Sequence, residues 1–289
     1  MKKIKDYLLL IKPSLSIMVV FSSVMSFALT KGSDNYVNFW KMIFVLFAGG
    51  MLVTGSANAI NQVVEKDTDA QMKRTAKRSV AAGRMSAQEG WAFAIITGIA
   101  GVFILGYFFN WLAAGLAAFS LFLYAFIYTP LKKVNSIAVL MGAVPGALPC
   151  LIGWAAGDNN LSTGGWILFA FQFFWQFPHF WAIAWVLNDD YKRAGFRMLP
   201  SDGGRTKNSA FQALVYTMCL IPMALVPQIF GFTGTFSTTL MILTGVFFSI
   251  PAFRLYKSCE TKDAQKLMFA SFIYLPVVQL IWMIDRLIS

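Results

Sequence analysis

The sequence predicts an all-α, polytopic membrane protein, a bundle of about nine transmembrane helices around a central cavity. Three observations carry that prediction. Apolar residues make up 57% of the chain and charged residues only 13%, with mean hydropathy +0.62. Apolar runs long enough to cross a bilayer recur along the whole length. The basic residues fall on alternate connections between those runs, the signature of a polytopic membrane protein.

The spans are expected near 13–30, 41–62, 90–108, 110–129, 136–156, 165–187, 209–230, 233–253 and 267–284, within a single integral-membrane domain covering 1–289. Pro13, after Lys12, suits the first turn of the first span, where its missing N–H is no loss. The connection at Phe109-Asn110 is so short that its two helices should be antiparallel neighbours. Pro145, Pro149 and Pro178 lie inside spans and should kink them. The opening MKKIKDYLLLIK resembles a signal-peptide n-region, but a full-length span without a small-residue cleavage site follows it, so no cleaved peptide is expected.

Of the 24 lysines and arginines, 21 lie on one set of loops, and only Lys31, Lys41 and Arg286 on the other. That asymmetry sets the N-terminus and the basic loops in the cytoplasm and the C-terminus outside, as in a multi-pass protein of the cell inner membrane. The net charge of +11 therefore reflects topology rather than nucleic-acid binding. Cys150, Cys219 and Cys259 are too far apart for a thiolate metal site, a c-type haem attachment or a disulfide framework.

Four constellations could carry chemistry. The first is Asn61, Glu65 and Asp69 with Asp67, placed where the second span ends. At i, i+4 and i+8, Asn61, Glu65 and Asp69 share one helix face if the helix runs on. Like charges about 4 Å apart repel by about 1 kcal/mol in water and about 4 kcal/mol at an effective dielectric of 20. Such an oxygen-only set invites Mg²⁺, which keeps waters and bridges to a phosphate. The plain alternative is a solvated loop whose acids pair with Lys66, Lys73 and Arg74. An amide at Asn61, one turn inside the membrane, needs a polar partner and favours the functional reading.

The second is Tyr124, Tyr128 and Lys132 at the same spacing, a phosphate clamp or an interfacial tyrosine belt with a snorkelling lysine. The third is Gln172, Trp175, Gln176, Pro178 and His179. Gln172, Gln176 and His179 form a polar stripe that should face the bundle interior. His179, the only histidine, could ligate haem iron, carry a proton, or bond a neighbouring helix. The fourth is the 188–200 loop, where Asp189 and Asp190 accompany Lys192, Arg193 and Arg197. Positive-inside charge explains those bases but not the acids.

The Asn61-xxx-Glu65-xxx-Asp69 pattern with about nine spans resembles the UbiA-type intramembrane prenyltransferases over nearly the whole chain. Within that family, EKDTDAQMKRTAKR (65–78), WQFPHFWAIAW (175–185) and DDYKRAGFRMLP (189–200) look like its haem-farnesylating branch. The resemblance implies that Asn61, Glu65 and Asp69, with Asp190, hold Mg²⁺ as cofactor, Asp67 helping. It implies that Lys73, Arg74, Arg78, Lys132, Lys192 and Arg193 neutralise the diphosphate. His179, Trp175, Gln176 and Tyr191 become the candidates for the haem end. The implied reaction is farnesyl transfer from farnesyl diphosphate to a vinyl group of haem b, with water added, giving haem O. The implied partners are those two substrates, the bilayer, and a downstream haem-modifying enzyme or terminal oxidase assembly factor. The first acid is Glu65 where the family often has Asp. Asp189 and Asp190 are adjacent where the family commonly has DxxxD, so a symmetric second metal site is not expected. The alternatives are prenylation of an aromatic quinone precursor or, in another class, a transporter or haem carrier.

Overall fold

A computed structural model describes residues 2–201 and 203–288; Asp202 lies outside them. Among the described residues every regular element is helical. The chain opens on α1 (Lys2–Ile11) and α2 (Pro13–Ala28), bent against each other by 43°. The bend falls at Lys12, whose left-handed φ of 51° precedes the proline. Then come α3 (Phe39–Val64), the short α4 (Lys66–Gln71), α5 (Ala87–Phe108) and α6 (Trp111–Phe122). A π-helical turn over Leu123–Tyr128 leads into α7 (Thr129–Leu131). The second half holds α8 (Ala138–Asp158), α9 (Thr163–Val186), α10 (Asn188–Arg193), α11 (Lys207–Met223), α12 (Val226–Ile229), α13 (Thr235–Ser258) and α14 (Thr261–Ile288).

Each long helix packs on its chain neighbours, and α14 returns to α2 and α9, closing the bundle. The 78% burial of the apolar window of α8 marks it as the most enclosed helix. Gly153 shows how closely α2 approaches it: a Cβ there would stand 1.9 Å from the Ser23 carbonyl oxygen. Side-chain caps start the helices that follow polar loops. Ser86 accepts from the Glu89 N–H at α5, Asn110 from Ala113 at α6, and Thr206 from Ser209 at α11. Ser86 and Glu89 have the spacing of a capping box, but the Glu89 carboxylate accepts from Lys3 and Tyr7 instead.

The polytopic all-α class holds. Seven helices are long and apolar enough to cross a membrane, or eight with the bent α1–α2 pair as one span. The expected count of nine is not reached on those criteria. Helix α9 has 24 residues, but Gln172, Gln176, Pro178 and His179 dilute its hydropathy. An unforeseen element is α1, a helix with the basic and apolar residues on different faces, where only a leader-like run was expected.

Candidate active site

The acids after α3 do not lie on one unbroken helix as the spacing suggested. Helix α3 stops at Val64, Glu65 takes a non-helical ψ of 10°, and α4 restarts at Lys66. The backbone ladder still runs across the break. The Glu65 N–H donates to Asn61 O at 3.0 Å and the Asp69 N–H to Glu65 O at 2.7 Å. The break re-aims the acids without separating them. Asn61, Glu65 and Asp69 are 2%, 4% and 0% exposed. Asp67 is exposed and stands apart from this buried set.

Each buried acid holds a cation that the sequence assigned to the diphosphate. Lys132 Nζ donates to Glu65 Oε1 at 2.7 Å. Arg78 Nη1 donates to both Asp69 oxygens, at 2.7 and 2.6 Å. Burial pushes the Asp69 carboxyl up, and the Arg78 guanidinium only partly offsets that. Asn61 Nδ2 donates to Thr129 Oγ1 at 3.4 Å, joining α3 to the turn after the π segment.

The π turn explains how Lys132 arrives. It shifts the register after Leu123, so Tyr124, Tyr128 and Lys132 do not follow a plain i, i+4, i+8 face. The Tyr124 and Tyr128 rings nonetheless pack tilted at 46° with centres 5.2 Å apart, and Lys132 Nζ lies 4.5 Å from the Tyr128 ring centre.

The 188–200 loop converges on the same mouth. The Arg197 N–H donates to Lys132 O at 3.0 Å, and Phe196 stands 5.8 Å from Lys132 Nζ. Asp190 accepts from the Arg74 N–H at 3.4 Å and pairs with Arg193. Burial opposes its ionisation, but Arg193 and the backbone of Arg74 and Lys73 hold its carboxyl below the usual range. Asp189 pairs outward with Arg205 at 3.1 Å. Glu65, Asp69 and Asp190 do not form a three-acid cluster among the described residues. Lys73, Arg74, Lys192 and Arg193 are exposed on the rim, whereas Lys132 is buried and Arg78 half-buried.

Lys12 belongs to the site and escaped the sequence reading. Its Nζ donates to Asn58 Oδ1 at 3.2 Å, and it lies in the field of Glu65, Asp69, Arg78 and Lys132. The only signal was its place before Pro13. Asn58 also donates to Ile11 O and Ser16 Oγ, both at 3.1 Å, fixing the bend that aims Lys12.

The polar stripe on α9 divides between two neighbours. Gln172 Nε2 donates to Gly146 O at 2.7 Å on α8, and Gln176 presses on the same glycine. Trp175 Nε1 donates to Ser271 O at 3.1 Å, and His179 Nδ1 meets Ser271 Oγ at 2.9 Å, both on α14. The Trp175 and His179 rings stack at 4.4 Å. Tyr191 packs edge-on against Phe196. Three buried donors nearby, Trp181 Nε1, Trp185 Nε1 and Tyr274 OH, have no hydrogen-bond partner among the described residues.

The donor set fits Mg²⁺: two carboxylates and an amide oxygen are hard ligands, and the cations now on the carboxylates are suited to exchange onto a phosphate. Residues 19–275 match the UbiA prenyltransferase family. A protoheme IX farnesyltransferase of Cytophaga hutchinsonii is 42% identical over 282 residues, 97% of each chain. A mitochondrial protoheme IX farnesyltransferase of Arabidopsis thaliana is 37% identical over 92% of this chain and 61% of its own. Among solved structures, a digeranylgeranylglyceryl phosphate synthase aligns over 100% of both chains with TM-score 0.80 at 20% identity. A UbiA homologue from Archaeoglobus fulgidus bound to DMAPP and Mg²⁺ aligns over 98% of both, with TM-score 0.76 at 11% identity. Family match, near-full-length relatives and shared fold together establish that this chain belongs to the UbiA prenyltransferase family.

Proposed function

We propose that the chain transfers a farnesyl group from farnesyl diphosphate to a vinyl group of haem b, with addition of water, releasing diphosphate and giving haem O. The observation that carries this reading is the buried pairing of Glu65 with Lys132 and of Asp69 with Arg78 at one mouth of the bundle. The farnesyl acceptor is supported by the near-full-length likeness to protoheme IX farnesyltransferases.

Asn61, Glu65 and Asp69 would hold Mg²⁺, which when bound supplies positive charge against the departing diphosphate. Lys132 and Arg78 turn from the carboxylates, and Lys12 from Asn58, to the diphosphate oxygens, where charge grows as the C1–O bond breaks. Lys73, Arg74, Lys192 and Arg193 on the rim guide the anion in. The vinyl carbon attacks the allylic cation, forming the C–C bond. Water adds to the cation left on the haem side and loses a proton, leaving a hydroxyl. Tyr124 and Tyr128 place aromatic faces beside Lys132 and keep water from the farnesyl cation.

The acceptor end of the site is the α9–α14 side. Tyr274 OH, on α14, is a buried donor without a hydrogen-bond partner among the described residues there. Because Ser271 engages His179 at Nδ1, axial ligation of haem iron would fall to Nε2. The basic mouth faces the cytoplasm of a bacterial inner membrane, and the product passes to a haem-modifying enzyme or oxidase assembly factor.

The test is mass spectrometry of haem extracted from membranes incubated with haem b, farnesyl diphosphate and Mg²⁺. A mass gain of one farnesyl group plus one hydroxyl is expected. A prenylated quinone precursor with unmodified haem would replace this reading by the quinone alternative. His179→Ala separately tests the haem side: unchanged transfer and unchanged haem affinity would remove His179 from the site.

A further inference from the structure

We propose that the slot between α11 and α13 is a binding site for one anionic phospholipid, separate from the active site. The slot is lined by Leu214, Met218, Val246, Ile250 and Phe253, and its basic end by Arg254 and Lys257. On α13, Val246, Ile250, Phe253 and Lys257 recur at helical spacing and form one stripe. From Val246 to Lys257 the stripe climbs about 16 Å at 1.5 Å per residue. That matches the hydrocarbon depth of one leaflet, about 15 Å.

Charge complementarity selects the occupant. Lys257 Nζ lies 4.7 Å over the Phe253 ring, which lines the slot, so its ammonium group is held at the slot's end; Lys207 Nζ lies 5.1 Å over the Tyr256 ring, outside the lining. Among the described residues, none of Lys207, Arg254 and Lys257 has an acid within ion-pair distance. The nearby Asp263 is taken by Lys266 at 2.9 Å and Ser258 at 2.7 Å. An apolar slot that fits an acyl chain thus ends in cations placed where a phosphate headgroup sits. Helix α13 packs chiefly on α11 and α14, so the slot opens on a different side of the basic end of the bundle from the α3–α4 acids.

The experiment is native mass spectrometry of the purified full chain with equal amounts of phosphatidylglycerol and phosphatidylcholine carrying the same acyl chains. Phosphatidylglycerol should be retained about five-fold or more over phosphatidylcholine. R254Q/K257Q should bring the two lipids level. K31Q/K41Q, at the opposite end of the bundle, should keep the preference. Ile250→Trp fills the slot with both cations intact and should lower phosphatidylglycerol retention; it decides the matter if the double variant does not fold. Equal retention of the two lipids by the wild type overturns the proposal. So does a preference that survives R254Q/K257Q, or phosphatidylglycerol retention that Ile250→Trp leaves unchanged, since the lipids would then be annular only.

Discussion

The two ends of the bundle use acids in opposite ways. At the end away from the basic mouth, acids tie chain segments together. Asp158 accepts from the Gly32 N–H at 2.8 Å, and Asp285 from the Gly234 N–H at 3.1 Å. Asp34 pairs with Arg286 at 2.6 Å while remaining 68% exposed. At the basic mouth, Glu65 and Asp69 are buried, and their partners are the side chains of Lys132 and Arg78. A backbone N–H cannot leave its carboxylate without local unfolding. A lysine or arginine can rotate to another anion. Burying two neighbouring carboxylates against exchangeable cations costs desolvation that a structural brace avoids. That cost is what sets the mouth apart and supports the proposed handling of a metal and an anion there.

The largest effect should come from the acids of the mouth. Asp69→Ala or Glu65→Ala should lower farnesyl transfer by about 10³-fold, with normal membrane insertion. Asp34→Ala should change the rate by less than about two-fold, since an exposed pair contributes little. Equal losses at both ends, read from product formation per folded enzyme, would erase the contrast.

Next comes Lys132→Gln, which leaves the buried Glu65 carboxylate without its partner. Breaking such a pair costs about 3–5 kcal/mol, so thermal unfolding should show a large fall. The KM for farnesyl diphosphate should rise as well. Asp158→Ala should cost about 1–2 kcal/mol from the unsatisfied Gly32 N–H, with KM and kcat unchanged. That split between stability and KM sharpens the comparison.

The smallest effect lies at α1, docked through Asp6 to Arg84 at 2.8 Å and Tyr7 to Glu89 at 2.8 Å. Arg84 holds the Asp6 carboxyl below its ordinary range, and the Tyr7 hydroxyl does the same for Glu89. A depressed carboxylate adds stability above its unfolded value of about 4 and loses it as pH falls through the folded value. The protection factors of the α1 amides, taken against the intrinsic exchange rate at each pH, should therefore hold level from about pH 8 to 5 and fall only below about 4. A fall in protection already near neutrality would show that these pairs do not hold α1.

Much of this was legible in the chain. The spans were visible because lipid forces long apolar runs, and the acid run was visible because charges at a helix end need a reason. Asn61, Glu65 and Asp69 came through as one buried set despite the break at Glu65. The register of Tyr124, Tyr128 and Lys132 did not come through, because a π turn leaves no mark in apolar periodicity. The division of the α9 stripe between α8 and α14 was equally hidden, since spacing gives a face but not the neighbours that meet it. Lys12 was read only as a helix start; its role depends on a left-handed backbone and on Asn58, 46 residues away.

The sequence by itself determined the class, most of the long helices and the end of the bundle where acids and bases gather, because hydropathy, charge placement and local spacing are properties of short segments. Only the tertiary structure decided which cation meets which acid, that the 188–200 loop closes on Lys132, and that Lys12 joins them. Those pairings span the chain, as Glu65 with Lys132 does across 67 residues. Packing, not periodicity, brings such residues within hydrogen-bond reach.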